Sequence, residues 1–132
     1  MNKYFYMAYG ANMNVDSMKI RCPQAEWLGG FYYPGLKLVF RGVADVVPSQ
    51  NDRLPVILWR ITEDCLQSLD QFEGYPSLYN RMLVDGIWWC YSMNDKSRVA
   101  DPSSHYFETI REGYISGGLD VQYLYDAALD VA

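Results

Sequence analysis

The chain has 132 residues, half of them hydrophobic, with 11 Lys and Arg against 16 Asp and Glu for a net charge of −5. That length fits one folded domain over residues 1–132 with a sizeable core. The acidic balance and the lack of any basic run exclude a phosphate-backbone binder, and no apolar stretch is long enough to cross a membrane as a helix.

In chain order, the run from Tyr4 to Met13 comes first. Its apolar and aromatic residues stop abruptly at Tyr9-Gly10-Ala11-Asn12. This predicts a buried strand, a tight turn and a helix just beyond. Glycine at such a turn allows close backbone approach, and successive N–H groups there can hold a carboxylate or an oxyanion. Residues 14–21 predict a short helix, with Asn14 as N-cap, Asp16 in the first turn and an end near Cys22-Pro23. Runs at 25–33, 35–41, 43–47 and 55–61 are rich in branched and aromatic residues with Gly and Pro between them, and read as separate strands. Thr62 caps a predicted helix through Phe72, with Glu63 and Asp64 well placed in its first turn. Residues 81–84 and 87–93 read as strands. A helix from about His105 to Glu112 is expected to close at Gly113, and a last one spans residues 121–129. The class is therefore α+β, mixed elements around a strongly curved sheet or barrel.

The three cysteines, Cys22, Cys65 and Cys90, show no metal-ligand spacing, and the one histidine, His105, falls in a polar stretch read as a loop. No metal site and no Cys-His or Ser-His relay is expected. The chain enters a strand pattern directly after Met-Asn-Lys, without a signal-peptide pattern, which implies a cytoplasmic location with reduced thiols. The 12 tyrosines and 4 tryptophans suit a pocket walled by rings, and exposed aromatics permit a homodimer.

One carboxylate is out of place. On the helical wheel of residues 62–72, Cys65, Leu66, Leu69 and Phe72 form the apolar face, and Glu73 falls within about 50° of its centre if the helix reaches that far. Apolar neighbours and the helix C-terminus both push a carboxyl pKa upward, toward the range of an acid/base working near neutrality. Against this, a glutamate before a C-capping Gly74 commonly points to water. Asp70 sits at the edge of the apolar face and reads as a surface or capping residue.

The opening segment and Leu69-Asp70-Gln71-Phe72-Glu73-Gly74, followed by Tyr79 and Arg81, together resemble the γ-glutamylcyclotransferase superfamily, including its avirulence-induced-gene-like and γ-glutamylamine cyclotransferase members. Tyr9-Gly10-Ala11-Asn12 is similar to the family's Tyr-Gly-Ser-Asn. Arg21-Cys22-Pro23, Gly42-Val43-Ala44, Tyr91, and the Pro102 to Tyr106 stretch follow the family order, so the resemblance covers nearly the whole chain. It implies a small β-barrel with flanking short helices and a cofactor-free release of 5-oxoproline from a small-molecule γ-glutamyl substrate. By that resemblance Glu73 is the acid/base, Tyr6, Tyr9, Gly10 and Ala11 form the substrate cradle, and Tyr106 is a further wall. Asn12, Tyr79 and Tyr91 match positions near the site. Two departures stand out: Ala11 replaces the family serine, and Val56 stands where glycine is frequent, here read as core packing. The competing reading is a non-catalytic module that uses the same pocket to hold a small anion or a partner.

Overall fold

The opening aromatic run becomes the middle strand of the sheet. A computed structural model describes residues 3–131, with β1 at Lys3–Ala8, a single 3-10 turn at Ala11–Met13 and α1 at Val15–Arg21. There follow β2 (Glu26–Arg41), β3 (Val43–Thr62), α2 (Glu63–Glu73), β4 (Tyr79–Val84), β5 (Trp88–Met93), α3 (Ser104–Ser116) and α4 (Gln122–Leu129). The five strands form one sheet in the order β2-β3-β1-β5-β4. β1 runs parallel to β5 and antiparallel to β3, and the outer pairs are antiparallel. The mixed α and β class expected from the sequence is thus borne out.

The four strand runs expected between residues 25 and 61 fuse into one long hairpin. β2 and β3 pair from Glu26 with Arg60 up to Arg41 with Val43, turning at Gly42, whose φ is +83°. The glycines that looked like breaks absorb register shifts instead: Gly29 and Gly35 have φ of +119° and +85° where the pairing slips. Pro48 and Pro55 are tolerated because β1 pairs only with Ile57–Thr62 of β3, leaving the earlier part of that strand a neighbour on one side.

That unaccompanied part curls over the end of β5. Asp45, fully buried, accepts from the Met93 amide at 2.8 Å, from Arg41 Nε at 2.8 Å and from Lys96 Nζ at 2.7 Å. Alongside it the Tyr79 hydroxyl donates to the Ala44 carbonyl at 2.5 Å. Tyr33 of β2 hydrogen-bonds Asp85 beyond β4, so the two edge strands approach and the sheet is curved in the manner of a small barrel. Among the described residues no helix is long and apolar enough to cross a membrane.

The helices lock onto this sheet through their caps. Asn14 accepts from the Ser17 amide at 3.0 Å and donates to the Thr109 carbonyl at 3.0 Å and to Glu112 at 2.9 Å, tying the start of α1 to α3. Thr62 caps α2 by accepting from the Cys65 amide at 3.2 Å. Gly74 ends that helix in the left-handed region, with bonds from Gly74 N–H to Gln71 O and from Tyr75 N–H to Asp70 O.

Three expectations are corrected. Phe72, placed on the apolar face, is 45% exposed, because Arg21 rather than the core covers its ring. His105 is an exposed residue in the first turn of α3, not a loop residue. Gly113 does not close its helix; α3 runs on to Ser116. A Cβ at Gly113 would lie 2.6 Å from Met13 Cβ and 2.7 Å from its carbonyl carbon, so the glycine lets α3 pack on the turn after β1. Gly113→Ala is therefore expected to lose about 1–3 kcal/mol in urea denaturation, since overpacking here displaces backbone. Unchanged stability would show that Met13 is not in fixed contact with α3.

Candidate active site

The turn after β1 and the end of α2 meet at Asn12 and Glu73. Asn12 is 2% exposed and fully engaged. Its Nδ2 donates to the Tyr6 hydroxyl at 3.0 Å and, at the longer distance of 3.4 Å, to Glu73 Oε1. Its Oδ1 accepts from Arg21 Nη1 at 2.7 Å, and its carbonyl accepts from Trp59 Nε1 at 3.1 Å. Arg21 Cζ lies 3.5 Å from the centre of the Phe72 ring, one residue before Glu73. A strand end, a helix end and a cation are thereby joined around one amide side chain.

Beside this junction lies a small hollow lined by Tyr6, Tyr9, Gly10, Ala11, Asn12, Ala44, Glu73, Tyr79, Tyr91 and Tyr106. All nine residues singled out from the sequence line it; Ala44 is the addition. Gly10 is needed for a reason the sequence did not give: a Cβ there would lie 3.1 Å from the Tyr106 hydroxyl and 3.3 Å from Ala44 Cβ.

The tyrosine hydroxyls are anchored to the scaffold. Tyr9 donates to the Tyr91 carbonyl at 2.7 Å, and Tyr91 donates to Asp70 Oδ1 at 2.6 Å. The Tyr106 hydroxyl oxygen accepts from the Ala44 amide at 3.1 Å. Their hydroxyls are thus held in place around the carboxylate. Burial pushes the Glu73 carboxyl up from 4.5 to about 7, against the pull of the Arg21 guanidinium. Burial likewise raises Tyr6, Tyr9, Tyr79 and Tyr91, and takes Tyr106 to about 12, so these phenols are neutral around pH 7.

Sequence reasoning missed three supporting residues. Asp70, read as a surface residue, orients Tyr91 and lies 3.6 Å from Arg81 Nε. Arg21 and Ala44 were visible only as parts of matched motifs, because their contacts exist only in the folded chain. Val56 is fully buried and does not line the hollow, in keeping with packing. Among the described residues no three His, Cys, Asp or Glu side chains gather around a common point suited to a metal ion.

Residues 6–109 match the family model described as "Gamma-glutamyl cyclotransferase, AIG2-like". The chain belongs to this family. The matched span contains every candidate site residue from Tyr6 to Tyr106. Aligned over 141 positions, the chain is 26% identical to the γ-glutamylcyclotransferase of Bos taurus, covering 91% of this chain and 74% of that one. A solved structure described as a γ-glutamyl cyclotransferase superposes with a TM-score of 0.80 at 22% identity, over 96% of this chain and 86% of its own. YkqA from Bacillus subtilis gives 0.81 at 22% identity, over 99% of this chain and 55% of that one. At that identity the two structures establish a shared fold.

The carboxyl's environment has a consequence for stability in this AIG2-like protein. A carboxyl with a pKa of about 7 when folded and about 4.5 when unfolded binds its proton more tightly in the folded state. Its contribution to stability is therefore lost as pH rises through that window. Glu73→Gln removes the ionisation, so at pH 8 the variant is expected to exceed the wild type by on the order of 2–3 kcal/mol, with the gain fading at low pH. Urea denaturation at pH 5 and pH 8 measures this. A difference independent of pH would mean the carboxyl is not desolvated.

Proposed function

We propose that the protein is a γ-glutamyl cyclotransferase that releases 5-oxoproline from a small γ-glutamyl amine or amino acid, with Glu73 as the acid/base. The observation that carries this reading is the placement of the Glu73 carboxyl, lifted to about 7, in the same hollow as the Gly10–Ala11 turn. The family match and the bovine relative support the class of reaction.

The chemistry follows from what each part can do. The substrate's α-amine attacks its own γ-carbonyl, closing a five-membered ring. Holding the two ends of one molecule in a folded geometry can supply roughly 7–11 kcal/mol of the barrier. An α-amine titrates near ~8 and is largely protonated at neutral pH, so a base is needed. The Glu73 carboxylate first takes a proton from the α-ammonium, freeing the lone pair that forms the new C–N bond, and the ring nitrogen's second surplus proton passes to the released amine. The resulting carboxylic acid returns that proton to the departing nitrogen as the old C–N bond breaks, leaving 5-oxoproline and a free amine. Backbone N–H groups of residues 10–12 stabilise the charge on the carbonyl oxygen or hold the substrate carboxylate. Ala11 lacks the family's hydroxyl but keeps its backbone amide, so the cradle is retained.

The test is a panel of γ-glutamyl amines and γ-glutamyl amino acids, with 5-oxoproline followed by mass. Turnover of at least one compound is expected, and Glu73→Gln should lower it by about 10²–10⁴-fold, the usual weight of general acid–base catalysis. Undiminished turnover in that variant would end the mechanism. Thermal stabilisation by the panel without any turnover would turn the site into a binding pocket.

A further inference from the structure

The carboxylate at the centre of the site is controlled from outside the cavity wall. Arg21 is the last residue of α1, and its guanidinium is held in two ways at once. The Phe72 ring lies under it at 3.5 Å, and Nη1 donates to Asn12 Oδ1 at 2.7 Å. Because Oδ1 is the acceptor of that bond, Nδ2 is committed to the other side, where Tyr6 at 3.0 Å and Glu73 at 3.4 Å accept from it. Without the arginine, the amide orientation rests on the Tyr6 bond and the long Glu73 contact alone.

The surroundings of Glu73 contain no competing charge of comparable effect. From β1 and its end face Tyr6 and Tyr9, from β4 Tyr79, from β5 Cys90 and Tyr91, and from α3 Tyr106. All are influenced by Glu73, and burial keeps their protons on. On α2 itself, the Asp70 carboxylate is bound to Tyr91 and faces Arg81. The cation acting on Glu73 is Arg21.

We infer that Arg21 is a positioning residue for Glu73, fixing the orientation of the Asn12 amide against the carboxylate and supplying the positive charge that keeps the ionised form accessible in a dry site. This rests on the proposed role of Glu73 for its meaning in catalysis, but not for its test. Losing the guanidinium leaves burial unopposed, so Glu73 holds its proton more tightly and its titration midpoint moves up. An opposite charge at such range commonly moves a carboxyl by about one pH unit or more.

The experiment is a 13C titration of the glutamate carboxyls in the full chain, with the Glu73 signal assigned by its disappearance in Glu73→Gln. Arg21→Gln is expected to raise the midpoint by about one pH unit. Arg21→Lys, which keeps charge but not the planar fork, should fall between the two. Phe72→Ala alters an exposed ring and frees the guanidinium, so a smaller upward move is expected even if Arg21→Gln does not fold. Where 5-oxoproline release is measurable, the acid limb of its pH profile should move with the midpoint, a change that lost packing alone does not produce. A midpoint unmoved in the folded variants overturns the inference. If the midpoint moves while no γ-glutamyl compound is turned over, the control of Glu73 stands and the proposed reaction falls.

Discussion

The architecture depends on holding one partly shielded carboxyl beside a hydrogen-bonding turn. A glutamate at a helix end is ordinarily solvated. Here the C-terminus of α2 is brought against the turn after β1, and Asn12 joins the two. The surrounding tyrosines make the arrangement unusual, because their hydroxyls serve the scaffold. Tyr9 reaches a β5 carbonyl, Tyr79 a β3 carbonyl and Tyr91 the Asp70 carboxylate.

Sheet curvature makes that enclosure possible. Ala44 is the second residue of β3, just past the hairpin turn and far in sequence from Tyr79 and Tyr106, yet its carbonyl accepts from the first and its amide donates to the second. Next to it, the buried Asp45 gathers a backbone amide of β5 and two cations. A buried carboxylate with this many donors is compensated, and removing both cations would leave a buried charge unpaired, which costs far more than losing an exposed pair. Its pKa is accordingly lowered despite burial, through Lys96, Arg41 and the Met93 amide. The molecule thus holds two carboxylates in opposite conditions, one fully buried and one partly exposed. Asp45 is saturated with donors and serves as a fixed strut, while Glu73 is underpaired and free to titrate.

The elements governed by local chemistry were readable from the sequence. The strand and turn of β1, the Asn14 cap, and α2 between Thr62 and Gly74 follow from caps and hydrophobic period, whereas the wheel left Glu73 open between the apolar face and solvent. The long hairpin was not readable, because glycine and proline mark breaks only when the strand has neighbours on both sides or no register slip to absorb. Phe72 was misplaced because a wheel counts apolar residues without knowing that an arginine from α1 covers one of them. Gly113 was misplaced because close packing against Met13 and helix termination demand the same residue. The tyrosines of the later strands entered the site only through family resemblance; from their own neighbourhoods they read as core.

The position of the Glu73 pKa reflects two opposed influences rather than one. Burial by itself would leave the carboxyl protonated throughout the neutral range, a competent acid that cannot accept a proton. A fully paired carboxylate would remain ionised, a weak base with nothing to return, as Asp45 illustrates. The site lies between these limits because its cation is held one side chain away. Arg21 contacts Asn12 directly and reaches Glu73 only through that amide and through space, so the charge is felt without forming a closed ion pair. An arginine in direct contact would lower the pKa out of the useful range, and its removal would raise it. Distance, set by the length of one asparagine, is the variable that places the carboxyl near neutrality.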